Sequence, residues 1–323
     1  DHEQLADTIE TAMRMLDNVV DLCFYPTDEA EATNMTHRPV GLGVMGFHDA
    51  LLELGVPMNA DAAVERANRW QEAVAYHAIL ESSRLAKERG TYDSYEGSKW
   101  DRGLLPQDTV DLLEDERGQS IPTDREETLD WDRVRGHVAA HGMRNSNTMA
   151  VAPTATISTI NGTTPSIEPQ YSNLYVKSNM SGEFTVVNDH LVADLRERNR
   201  WDEALRDEIK FHDGSIQAIE GIPDDLQELH RGAFEIDPRH QIRLTAHRAT
   251  WIDQSISHNV FFPSTDGTLL DDVYTAAWEY GLKTTYYLRT LGASQIEKST
   301  LDMDEYGKTQ HRDGDALADG GGR

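Results

Sequence analysis

Between Trp131 and Leu288 the chain alternates stretches of helical periodicity with short apolar, β-prone runs. That alternation restricts it to an α/β architecture with largely parallel connections. Apolar spacing predicts helices over 131–141, 190–198, 224–231, 240–257 and 269–280, with strands over 148–152, 259–262 and 282–288. Upstream, Leu5, Ile9, Met13, Leu16 and Val20 recur at three- and four-residue intervals and predict an amphipathic opening helix. A second long helix is expected over 61–89, with Val64, Ala67, Trp70, Val74 and Ala78 on one face and Gly90 as its stop. The acidic, Gly- and Pro-punctuated stretch 91–128 reads as surface loop with a short helix near 110–113.

Charge narrows the partners. Fifty-seven acidic against thirty basic residues give a formal charge of −27, a surface that repels nucleic-acid phosphates. Such a surface suits a high-salt, halophilic solvent, where carboxylates keep the protein hydrated. No run of eighteen apolar residues offers a membrane span, and the acidic first residues are no secretory signal. Cys23 is the only cysteine, so neither a disulfide framework nor a cysteine-rich metal site can form, and a reducing, cytoplasmic setting fits best. We expect Cys23 to be a buried, non-catalytic thiol.

Gly41-Leu42-Gly43-Val44-Met45-Gly46 matches the dinucleotide fingerprint, but Pro39 leaves little room for the buried strand that must precede it. The bland alternative is a glycine-rich turn that packs a strand against a helix over 47–54. A nicotinamide-dependent dehydrogenase is kept as the competing function.

Pro153-Thr154-Ala155-Thr156-Ile157 directly follows the 148–152 strand. Pro153 ends strand pairing, and Thr154 or Thr156 can cap a following helix whose first N–H groups lack internal partners. Such a terminus suits a phosphate. It is also what any capped helix looks like. Adjacent tyrosines such as Tyr286-Tyr287 are ordinarily core or surface aromatics. Their functional use would be electron relay, since a phenol can lose an electron and a proton together. In a regular strand neighbouring side chains point to opposite faces, so a relay needs distorted backbone that brings the two rings together.

The run Gly142-Met143-Arg144-Asn145-Ser146-Asn147, the Pro153 to Ser158 segment and Ser166-Ile167-Glu168-Pro169 resemble the ribonucleotide reductase large subunit. Arg38 to Gly43, Leu85 to Gly90 and Gly281 to Tyr287 are similar to the same family, in the same order. The resemblance implies the latter part of a ten-stranded α/β barrel of the ribonucleotide reductase and glycyl-radical-enzyme type, with flanking helices. One barrel domain is expected over 1–300 and a flexible acidic, Gly-rich tail over 301–323.

The resemblance further implies that Pro153, Thr154, Ala155, Thr156 and Ile157 wrap the diphosphate of a ribonucleoside diphosphate. Tyr286, nearer the substrate, and Tyr287, nearer a subunit interface, would carry a radical. That dyad favours the class I branch over the adenosylcobalamin-dependent one. Implied partners are a di-metal tyrosyl-radical small subunit, a second large subunit and a thioredoxin- or glutaredoxin-like reductant; no metal or cofactor is expected on this chain. The family's thiyl cysteine and reducing cysteine pair cannot be placed here. Nor can the amino-terminal region that takes ATP and deoxynucleotide effectors. The chain therefore reads as a carboxy-terminal fragment, inactive alone; a nucleotide-binding regulatory fragment is the non-enzymatic alternative.

Overall fold

The computed structural model describes residues 1–179 and 182–291. In chain order the helices begin with α1 (His2–Leu22), α2 (Asp28–His37), α3 (Phe47–Glu53), α4 (Asp61–Arg89), α5 (Asp108–Arg117), α6 (Trp131–His141) and α7 (Ile157–Asn161). A hairpin follows, β1 (Leu174–Asn179) and β2 (Gly182–Val187), then α8 (Asp189–Glu197), α9 (Glu203–Phe211) and α10 (Asp224–Leu229). The described chain finishes with α11 (Pro238–Ala249), β3 (Val260–Phe262), α12 (Gly267–Glu279) and β4 (Leu288–Thr290). The expected 301–323 tail lies outside the described residues.

Two compact units emerge. One comprises 1–170 and 233–291; the described part of the other is 171–232 without 180–181. At the centre of the first unit, α4 packs against α1, α6 and α11. Trp131 and Trp251, both essentially inaccessible, stack with ring centroids 5.5 Å apart. The second unit closes its hairpin and three helices over Leu191, Leu195, Ile209, Ile216 and Leu226. A buried polar group sits beside that core: Asn188 Nδ2 donates to Asn173 Oδ1 at 2.8 Å, and His230 Nε2 lies 2.6 Å from Asp194.

Four extended segments lie side by side in the first unit, all parallel. Leu42 bridges Met149, Val151 bridges Ile256, and β3 pairs with β4 in the register Val260 to Leu288. This is the parallel array of an α/β barrel. Gly43 is required where two segments touch, because a Cβ there would lie 2.4 Å from the carbonyl oxygen of Ala150. Gly46 caps α3 at φ +75°, and its N–H donates to the Thr164 carbonyl. The glycine fingerprint is thus occupied inside the fold as a turn between a strand and a helix.

Several expectations need correction. The 148–152 strand exists only as isolated bridges, because its neighbours touch it at single residues on either side. Helix 240–257 stops at Ala249: apolar periodicity continues to Ile252 and Ile256, but Asp253 turns to accept the N–H groups of Thr148 and Met149 at 2.6 and 3.0 Å. The 282–288 strand forms instead as β4: backbone pairing begins only at Tyr286, whose N–H donates to the His258 carbonyl, and the Tyr287 N–H goes to the Asn259 side chain. Helices α2 and α9 and the β1–β2 hairpin were not expected at all. Finally, Cys23 is exposed, since α1 ends at Leu22 and Cys23 caps it in extended conformation.

Candidate active site

Three of the stretches that carry the family resemblance converge on one buried carboxylate. Asp17, fully inaccessible on α1, takes Arg38 Nε and Nη2 at 3.0 and 2.8 Å, Arg89 Nη1 at 2.8 Å and Asn145 Nδ2 at 3.3 Å. A buried carboxylate survives only when paired and hydrogen-bonded in this way. The cluster is architecture. Asp17 was missed in the sequence because its spacing places it within an ordinary amphipathic helix.

The Pro153 to Ile157 segment leaves the array at the carboxy-terminal side of Val151. Ala155, Thr156 and Ile157 are exposed, and among the described residues none of their three amides donates a hydrogen bond. Thr156 is the N-cap of α7, but without a side-chain bond. Thr154 does not cap either: its Oγ1 accepts the N–H of Ser166 at 2.7 Å. Both residues of that bond sit in left-handed backbone, at φ +50° and +52°. A β-branched residue there costs on the order of 1–3 kcal/mol and persists only where surrounding bonds over-determine it. With five residues, α7 offers a turn of free amides rather than a full macrodipole.

Tyr286 and Tyr287 precede β4. Their ring centroids are 4.1 Å apart at an interplanar angle of 52°, an approach that regular strand alternation forbids. A hydrogen bond to Tyr287 raises the Tyr286 phenol above its ordinary value. Both rings are about half exposed, at 45% and 53%. The guanidinium of Arg289 lies over the Tyr287 ring, 4.9 Å from its centroid.

The backbone around the pair is pinned from both sides. Lys283 Nζ donates to the carbonyls of Ile252, Asp253 and Gln254 at 3.1, 2.8 and 2.6 Å. Tyr286 N–H donates to the His258 carbonyl, and Tyr287 N–H to Asn259 Oδ1 at 3.2 Å. Register then relates the two candidate segments. Val151 bridges Ile256 and Val260 pairs with Leu288, so the two candidate segments belong to one parallel array, on either side of the 256–262 segment.

Two further residues belong here that sequence reasoning did not single out. Asn259 Nδ2 donates a short hydrogen bond to Glu168 Oε1. Burial pushes the Glu168 carboxyl up to about 7, against that bond and the charge of Arg289. Their signal was present, since Glu168 lies in a quoted family stretch and Asn259 opens a β-prone run, but neither has a motif of its own. Among the described residues no helix is long and apolar enough to cross a membrane.

Residues 1–288 match the family model described as ribonucleotide reductase, barrel domain. The chain is 52% identical over 308 residues to the ribonucleoside-diphosphate reductase subunit alpha of Chlamydia pneumoniae, covering 95% of this chain and 30% of the relative. It is 38% identical to the large subunit of the same-named enzyme in Plasmodium falciparum (isolate Dd2) and 39% identical to the large chain in Schizosaccharomyces pombe (strain 972). Both matches cover 93% of this chain and 36% of the relative. The chain spans about a third of the length of the curated relatives it matches. On a parallel array, collinear motifs and a family match over most of its length, the chain belongs to the ribonucleotide reductase barrel-domain family.

Proposed function

We propose that this chain is part of the catalytic subunit of a class I ribonucleoside-diphosphate reductase, supplying the diphosphate cradle and the last tyrosine pair of the radical path. The observation that carries this reading is the Tyr286–Tyr287 contact. Adjacent residues rarely bring their rings together, and here three separate backbone anchors hold them so. The places of the two segments on either side of the 256–262 segment support a common site for substrate and radical.

In the cradle, the amides of Ala155, Thr156 and Ile157 offer donors to an anionic diphosphate without adding charge to an acidic chain. In the relay, a radical on Tyr287 takes the phenolic hydrogen of Tyr286. The O–H bond at Tyr286 breaks as that at Tyr287 forms, and the radical moves one residue toward the substrate. The oxidising equivalent originates on a radical-bearing small subunit, and the thiyl cysteine that attacks the ribose belongs to other parts of the complete enzyme. A redoxin-type reductant, a second large subunit and ATP or deoxynucleotide effectors complete the assembly.

The test compares this chain alone with the complete catalytic subunit, each supplied with small subunit, reductant and ribonucleoside diphosphate. Deoxynucleotide should form only with the complete subunit. Turnover by the chain alone would overturn the reading, because no hydrogen can leave the ribose without a thiyl radical. The adenosylcobalamin branch becomes the better assignment if the complete enzyme turns over without any small subunit.

A further inference from the structure

The Tyr286–Tyr287 contact is maintained by a chain of polar side chains that leads back to the cradle. Glu168 Oε1 accepts from Asn259 Nδ2, and Asn259 Oδ1 accepts from the Tyr287 N–H. Two residues before Glu168, the N–H of Ser166 holds Thr154 Oγ1 in the cradle. Asn259 is 5% exposed, so its amide has little solvent to turn toward.

An ionised carboxylate only accepts hydrogen bonds. It therefore draws the Asn259 NH2 toward itself and leaves Oδ1 as the sole end available to Tyr287. A protonated Glu168 can donate instead, which permits the Asn259 amide to flip. The flipped amide would set its NH2 against the Tyr287 N–H, donor facing donor, and the backbone would lose its anchor.

We propose that Glu168 and Asn259 are positioning residues of the tyrosine pair: the carboxylate orients the Asn259 amide, and the amide holds the Tyr287 backbone where the two rings stay in contact. This rests on reading Tyr286 and Tyr287 as the relay. Glu168 is surrounded as follows. Arg289 reaches it from β4, and His258 and Asn259 come from the segment before β3. From α11, Arg248 lines the same small cavity. The guanidinium of Arg248 lies over the face of Phe47, 3.7 Å from its centroid, with Nε and Nη2 lacking a hydrogen-bond partner among the described residues, and burial pushes His258 down to about 4, so it is neutral near pH 7. The carboxyl of Glu168 itself releases its proton at about 7. Relay competence therefore rises as pH passes upward through that value.

The experiment uses the complete reductase with its small subunit. Asn259→Leu removes both the donor to Glu168 and the acceptor for the Tyr287 N–H at nearly the same volume. It should lower kcat by about tenfold or more while KM for the diphosphate changes little. Glu168→Gln, like the protonated acid, offers both a donor and an acceptor, so it should hold kcat at its low-pH level and flatten the profile. The double variant Glu168→Gln with Asn259→Asp leaves a carboxylate that can only accept, from the Gln amide and from the Tyr287 N–H. It should recover most of kcat and stay flat near pH 7.

Should Asn259→Leu fail to fold, Glu168→Gln still decides the matter: an unchanged pH profile overturns the clamp. So does wild-type kcat in a folded Asn259→Leu. If Tyr286→Phe and Tyr287→Phe both retain turnover, the relay reading has failed, separately from the clamp.

Discussion

The 153–157 segment and the tyrosine pair lie on one parallel array, yet they are held by opposite means. The cradle is backbone. Its amides are unbonded, and its shape depends on two left-handed residues locked by the Thr154–Ser166 bond. The tyrosine pair has its amides fully engaged, and its shape depends on two side chains: Asn259, reaching in from a neighbouring segment, and Lys283, reaching out from its own segment to the 252–254 carbonyls. Under the proposed function, the difference follows from what each must present. A diphosphate is recognised by free N–H groups, so the backbone there must be left unsatisfied and held by something else. A relay presents rings, so its backbone can be consumed in anchoring.

The comparison breaks most sharply at the rings themselves. Tyr286→Phe and Tyr287→Phe remove the phenolic hydrogen and keep ring volume. In the complete enzyme each should abolish turnover while KM and thermal stability stay close to wild type. Near-normal turnover in both would show that the pair is merely packed.

Next in size is Lys283→Met, which deletes the donor to three carbonyls and leaves them facing a thioether. We expect destabilisation of about 1–2 kcal/mol, since Lys283 is exposed and its donors are partly solvated, read by denaturant unfolding. A fall in kcat should accompany it. Loss of kcat with substrate affinity intact would sharpen the distinction between the segments; equal loss of both would show one shared scaffold.

Thr154→Val tests the cradle alone. It keeps the β-branched shape but strands the Ser166 N–H, at about 1–3 kcal/mol. KM for the diphosphate should rise severalfold with kcat little altered, the reverse of the Lys283 and Asn259 variants.

The smallest effect is a pH slope in stability. Folded Glu168 keeps its proton to about 7, whereas the unfolded carboxyl releases it near 4.5. Between those values the folded state binds more protons, so this group's contribution to stability falls as pH rises. His258 runs the other way: it is neutral above about 4 when folded and titrates near 6.5 when unfolded, so its contribution rises with pH over that window. Subtracting Glu168→Gln melting curves from wild type should isolate a falling slope. A flat difference would mean that Glu168 is better solvated than its burial implies.

Local patterns carried much of this. Helix 61–89 and its Gly90 stop were readable to the residue, because a long amphipathic stripe and a left-handed terminator are both written locally. The alternation of helices with β-prone runs pointed to the parallel array, and the order of motifs pointed to the family. The strands themselves were blurred, since isolated bridges and three-residue ladders leave too short a pattern to delimit. What the sequence could not hold is the set of partners across the chain. Asp17 meets Arg38, Arg89 and Asn145 from three separate segments, and Glu168 reaches Tyr287 only through Asn259. Hydrogen bonds between residues 21 to 128 positions apart leave no periodicity to read. The close approach of two adjacent tyrosine rings is the same kind of fact: their identities are local, but the backbone distortion that joins them is imposed by side chains from elsewhere in the fold.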